Sequence, residues 1–186
     1  MPVSAPVTLT RKSLMRPGEP SRTALAAAAH RATHQVADAP LVFEDPLATA
    51  VLGPDWRPAE ELLGRRAMRA FICARARVAE DALAAAVDRG VTQYLLLGAG
   101  LDTFAWRNPH ASLRVFEADH PDTQAWKRTQ LAALGAPARL AFVGVDLERA
   151  PLLPALAAPA PANAVPAASS TPPTAAECLA AFRRRL

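Results

Sequence analysis

The stretch Gln93-Tyr-Leu-Leu-Leu-Gly-Ala-Gly-Leu-Asp-Thr-Phe-Ala-Trp-Arg107 decides the fold. A short apolar run ends in Gly-Ala-Gly and passes at once into a polar, aromatic segment. Glycine lacks a Cβ, so the chain can turn tightly there and lie close to a bound group. The first strand of a nucleotide-type fold presents its backbone to a ligand in this way. Two further apolar runs follow, Arg114-Val-Phe-Glu-Ala-Asp119 and Leu140-Ala-Phe-Val-Gly-Val-Asp146, both ending in acids.

Working outward, the pattern predicts strands over 92–97, 113–118 and 140–145. A short helical turn follows the first, and a helix over 122–134, stopped by Gly135, lies between the other two. Alternating strands and helices imply a parallel sheet with right-handed crossovers. Continuous apolar runs fit parallel strands buried on both faces.

Upstream, residues 1–20 carry four prolines and no periodicity, and are expected to form a flexible arm. Ser21 suits an N-cap for a helix from Arg22 to about Asp38, with Leu25, Ala29, Ala32 and Val36 as its apolar stripe. Phe43 to Leu47 reads as a loop. Pro58, Glu60 and Glu61 open a second helix that runs to about Arg89, with Gly64 as a breaking or bending point and Gly90 as the stop. Phe71, Arg75, Val78 and Ala82 share one of its faces. Downstream, residues 151–186 hold seven prolines and twelve alanines and read as a low-complexity tail. Proline removes ladder donors, so Ala157 to Pro173 is unsuited to a central strand. A short helix is expected near Glu177–Arg184.

The 186 residues suffice for one domain, over residues 21–150, and a hydrophobic share of 51% argues against general disorder. The net charge is +4, but the arginines are scattered and no basic stripe interleaves with aromatics. That pattern suits a solvated surface better than a nucleic-acid face. Cys73 and Cys178 are far apart and lack metal-ligand spacing. No 18-residue apolar run and no secretory signal are present, so the expectation is a cytoplasmic chain outside the membrane. The four histidines form no Ser/His/Asp or metal arrangement, and P-loop, nucleophile-elbow and HExxH motifs are missing.

The glycines form GxG rather than GxGxxG, and a tight strand-to-helix turn explains them as well as a ligand site does. The acids add weight. Glu117 and Asp119 end the second strand roughly 20 residues beyond the glycines, where a carboxylate accepts from ribose hydroxyls. Asp146 ends the third strand on the same rim, where an acid accepts from an exocyclic amine. The alternative for each acid is a helix N-cap, with Asp119 or Asp122 serving the helix that follows. Arg75 could clamp a ligand carboxylate, but the pattern alone favours an ion pair with Glu80, Asp81 or a sheet acid.

The chain resembles the leucine carboxyl methyltransferase family, in its bacterial small-molecule branch. The residues that carry the likeness are Ser-Arg-Thr-Ala-Leu (21–25), Phe-Glu-Asp-Pro-Leu-Ala (43–48), Ala-Arg-Ala-Arg-Val-Ala-Glu-Asp-Ala-Leu (74–83), Gln-Tyr-Leu-Leu-Leu-Gly-Ala-Gly-Leu-Asp-Thr (93–103), Val-Phe-Glu-Ala-Asp-His-Pro (115–121), Thr-Gln-Ala-Trp-Lys (123–127) and Val-Asp-Leu (145–147). The resemblance implies an α/β fold with a Rossmann-like class I methyltransferase sheet and S-adenosyl-L-methionine as methyl donor. It implies that Arg75 holds the donor's carboxylate and that Gly98 and Gly100 admit its methionine part. Asp119 would bind the ribose beside Glu117, and Asp146 and Leu147 would flank the adenine. The partner implied is a small-molecule acceptor, methylated on a carboxyl or hydroxyl oxygen. No catalytic residue follows, because displacement at a sulfonium carbon needs chiefly positioning and desolvation.

The likeness fades near Arg149, which leaves three readings of the tail: truncation, an altered reading frame or a naturally divergent short form. Only the first three parallel strands are then present, and the first strand has an uncovered edge that invites self-association. Two readings stand: a methyltransferase, active or a defective fragment, and a non-catalytic binding or regulatory half-domain completed by a partner chain. A nicotinamide dehydrogenase is disfavoured because the GxGxxG helix start is missing.

Overall fold

The computed structural model describes residues 17–157. Most of the expected arm, most of the Pro/Ala-rich tail, the helix expected over Glu177–Arg184 and Cys178 lie outside the described residues. The element order is α1 (Arg22–Ala37), α2 (Glu60–Gly64), α3 (Arg66–Asp88), β1 (Gln93–Leu97), α4 (Phe104–Arg107), β2 (Arg114–Asp119), α5 (Pro121–Gln130), β3 (Leu140–Gly144) and α6 (Leu152–Ala157). Single 3-10 turns lie at Ala50–Leu52 and Ala132–Leu134.

The strands form one parallel sheet in the order β1-β2-β3, the partial Rossmann-like arrangement expected. Leu97 pairs with Ala118, and Asp119 with Gly144, so all three strands end on one rim. Central β2 is buried from Val115 to Ala118, as a parallel strand covered on both faces should be. Burial on both faces fails for β1. Leu95 is 38% and Leu97 58% exposed, because no strand adjoins its outer side among the described residues.

Helix α1 starts where Ser21 Oγ accepts the Ala24 amide at 3.1 Å. It is buried on every side from Ala28 to His34, so its burial is wider than a stripe. Val36 is 62% exposed and falls outside it. The second predicted helix is broken at Arg65, directly after Gly64, into α2 and α3. Arg69 braces the break. Its guanidinium meets Asp38 at 2.7 and 2.8 Å and donates to the Leu62 carbonyl at 2.7 Å. The apolar face expected on α3 is not the buried one. Phe71 and Val78 are more than half exposed, while Arg69, Cys73 and Leu83 point inward.

Asp119 and Asp122 do not cap α5. His120 does, its Nδ1 accepting the Asp122 amide at 3.2 Å, with Pro121 at the first helical position. The Asp122 carboxylate instead accepts the Gly18 amide at 3.1 Å, tying the start of the described chain to the sheet rim. One core cluster gathers Leu83, Phe104, Ala105, Leu113 and Val115, and a second Ala28, Val51, Leu101 and Leu131. The segment from Leu101 to Ala105, which follows the glycines, contributes to both clusters.

Candidate functional site

The site begins where β1 stops. The Gly98 amide continues the ladder by donating to Ala118 O at 2.8 Å. The chain then turns through φ +62° at Gly98 and +55° at Gly100, conformations that favour glycine. The two glycines differ in surroundings. A Cβ on Gly98 would meet no atom within 4 Å, so its face is open. A Cβ on Gly100 would lie 3.1 Å from Ala24 Cβ, because α1 packs against it. The Gly100 amide donates to Asp119 Oδ2, and the His120 amide donates to Asp119 Oδ1 at 2.6 Å.

A cavity of about 540 Å³ opens over this turn, between α1, α3 and the tip of β1. Ser21, Arg31, Arg75, Gly98, Gly100 and Asp119 are among its lining. Arg75 is exposed and makes no ion pair among the described residues. The acids that the pattern offered it are taken: Asp81 accepts from Arg77 at 2.8 Å and Glu80 from Arg107 at 2.7 Å. The ion-pair reading of Arg75 is therefore corrected, and its guanidinium stands at the cavity with its donors unused.

Glu117 is not beside Asp119 at the cavity. It shares Asp119's face of β2 but lies one step below the rim, with no exposed surface. Lys127 Nζ, equally buried, meets its Oε2 at 2.6 Å, while Oε1 has no partner. Burial pushes this carboxyl up to about 7, against the pull of Lys127. Asp146 follows β3 on the shared rim. Its Oδ1 accepts the Glu148 amide at 3.0 Å, and Arg149 lies 3.6 Å from Oδ2. Leu147 is 43% exposed. Neither residue lines the cavity, which opens at β1, two strands along the sheet from β3.

The structure thus brings Arg75, Gly98, Gly100 and Asp119 together, leaves Asp146 and Leu147 farther along the rim, and withdraws Glu117 into the core. Sequence reasoning missed Arg31, which is buried, lines the cavity, and pairs with Asp45 at 2.9 Å. A signal existed: a cation amid the alanines of α1, with Asp45 in the Phe-Glu-Asp-Pro motif as its partner. Cys73 is a buried thiol that burial pushes up to about 11, so it is unreactive. Among the described residues no cluster of His, Cys, Asp and Glu suits a metal ion, and no helix is long and apolar enough to cross a membrane.

The model of the leucine carboxyl methyltransferase family matches residues 24–171. The chain belongs to that family. The match runs past Arg149, where the motif likeness had faded, into the Pro/Ala-rich stretch. A Bacillus subtilis (strain 168) protein, YktD, named as a candidate S-adenosyl-L-methionine-dependent methyltransferase, is 34% identical over 166 residues, covering 73% of this chain and 55% of that protein. A protein of Parafrankia sp. (strain EAN1pec) with the same kind of name is 48% identical over 67 residues, 36% of this chain and 22% of its own. A Mycobacteroides abscessus protein, also so named, is 36% identical over 135 residues, 67% of this chain and 45% of its own. The chain spans about half or less of the length of these family relatives.

Proposed function

We propose that this chain binds S-adenosyl-L-methionine and serves methyl transfer to a carboxyl or hydroxyl oxygen of a small molecule in the cytoplasm. Arg75 clamps the donor's carboxylate, and Gly98 and Gly100 let the backbone approach its methionine part. Asp119 accepts from the ribose, with Asp146 and Leu147 flanking the adenine. The donor, when bound, supplies an electrophilic methyl group on its sulfonium sulfur. The chain's own residues orient it and keep water away, which is most of what such a displacement needs.

One observation carries this reading. The unused guanidinium of Arg75 and the carboxylate of Asp119 line one cavity together with Gly98. A cation and an anion so placed suit a ligand with a carboxylate at one end and a sugar at the other. Titration calorimetry with S-adenosyl-L-homocysteine, the transfer product, tests it. Saturable one-to-one binding that Arg75→Met weakens is expected, and heat no greater than dilution would overturn the reading.

The uncovered side of β1 favours a second reading, a binding or regulatory half-domain completed by a partner chain. Leu95 and Leu97 on β1 and Phe71 and Val78 on α3 are all exposed. Apolar strand edges of this kind invite pairing with another chain. Sedimentation beside the calorimetry separates the two: a monomer that binds the product supports the enzyme, and an oligomer that does not supports the half-domain.

A further inference from the structure

The glycine turn is held from beneath as well as from the rim. The carbonyl of Leu101 accepts from Arg31 Nη2 at 2.7 Å, and the next carbonyl, of Asp102, from Lys127 Nζ at 2.9 Å. Each cation is matched to an acid with no exposed surface, Arg31 to Asp45 and Lys127 to Glu117. Asp45 also accepts Thr103 Oγ1 at 2.5 Å and lies 3.2 Å from Arg107 Nε. Two consecutive carbonyls are therefore gripped by cations from α1 and α5, elements far apart in the chain.

Stability does not account for the Lys127–Glu117 pair. Removing two charges from water is expensive, and a well-packed apolar pair often serves a core as well or better. Glu117 also leaves Oε1 without a partner. Geometry offers what packing does not. Lys127 Nζ bridges the Glu117 carboxylate of β2 and the Asp102 carbonyl of the turn, two residues after the amide that Asp119 holds.

We propose that Lys127, anchored by Glu117, is a positioning residue for the donor cavity. By gripping the Asp102 carbonyl it fixes the 98–102 turn, so that Gly98 and the Gly100 amide keep a set relation to Asp119. Arg31 with Asp45 is the matching grip on the preceding carbonyl. Lys127 is wholly buried and does not line the cavity, so it acts through the turn and not by touching a ligand. The inference rests on the donor reading only in naming the cavity's occupant.

The test compares the full chain with the double variant Lys127→Met, Glu117→Leu, and with Lys127→Arg, which keeps the charge but displaces the donor atoms. Amide hydrogen exchange over 98–103 is read without ligand, beside the melting temperature and the affinity for S-adenosyl-L-homocysteine. In the double variant, melting stays within a few degrees of wild type. Exchange at 98–103 rises about tenfold while the centre of β2 is unchanged. Product binding weakens about tenfold or more. Lys127→Arg shows both changes in smaller degree, and decides the matter should the double variant not fold. Unchanged exchange at 98–103 in a folded variant overturns the proposal, as does raised exchange with undiminished product binding. Wild type that fails to bind the product sinks the donor reading and leaves the exchange comparison to judge Lys127 by itself.

Discussion

The amide of Gly100 donates to Oδ2 of Asp119, joining the turn after β1 to the tip of β2. The other carboxylate oxygen takes the His120 amide. Two backbone donors thus orient the Asp119 side chain before any ligand arrives. A carboxylate has about four acceptor positions, so two remain for sugar hydroxyls. Preorganisation of this kind lowers the cost of binding, since the side chain is already ordered.

Asp119→Ala removes that hub. Product affinity falls by about 10- to 100-fold, the worth of hydrogen bonds to a charged group. Stability falls as well, because the Gly100 and His120 amides lose their acceptor. Asp119→Asn separates the effects: one amide keeps an oxygen, so the melting point recovers more than the affinity. Calorimetry and thermal melting on the three proteins check this, and equal recovery of both would contradict the role given to the charge.

Arg75 gives the complementary case. It is exposed and unpaired, so Arg75→Met alters stability by no more than about 0.5 kcal/mol. Affinity for the product drops about tenfold or more, because a charge-assisted, two-pronged contact is lost. Arg75→Lys restores only part of it, since an ammonium lacks the planar fork. A loss of stability with intact binding would make Arg75 a structural residue after all.

The two glycines of the turn separate by the same logic. Gly98→Ala costs about 1 kcal/mol for a side chain at positive φ. Its new methyl stands in open space and intrudes on whatever approaches the turn, so binding suffers most. Gly100→Ala carries the same strain and also crowds Ala24 at 3.1 Å. Its destabilisation exceeds that of Gly98→Ala by about 1 kcal/mol or more. Urea unfolding of both variants measures the difference, and a reversed order would refute the placement of α1 against Gly100.

Much of this was legible in the sequence, and the exceptions have physical causes. The three strands, the turn between them and the parallel order follow from apolar runs punctuated by glycine. Ser21 as a cap follows from a side-chain oxygen three residues ahead of a free amide. The burial of α3 did not follow. Phe71 and Val78 look like a core face, but periodicity reports which residues share a side and not what covers that side. Glu117 failed for a related reason. Alternation along β2 puts it on Asp119's face, but only depth below the rim separates a ligand acid from a buried one. Depth depends on Lys127, ten positions on and in a different element. Arg75 went the other way: its helical neighbours offered it acids, but Arg77 takes Asp81 within α3 and tertiary structure gives Glu80 to Arg107.

Glu117 also sets a pH dependence of unusual sign. Its carboxyl ordinarily titrates at 4.5 and in the folded chain at about 7, raised first by burial. Between those values the folded state binds more protons than the unfolded one, so stability falls as pH rises through the window. The slope cannot exceed ~1.4 kcal/mol per pH unit for one group. Asp38 acts in the opposite sense. The Arg69 guanidinium holds its carboxyl well below the usual range, so its contribution is present above the ordinary 3.8 and is lost in stronger acid. The two windows barely meet, which lets them be told apart. Burial of His30 lowers its imidazole, so it adds stability as pH rises in the same window. The Glu117 part is isolated as the difference between wild type and Glu117→Gln in denaturant unfolding from pH about 5 to about 7. Relative to Glu117→Gln, which lacks the titrating carboxyl, wild type loses stability across that span. Parallel curves for the two proteins would mean that Glu117 stays ionised throughout, with Lys127 outweighing the cost of its burial.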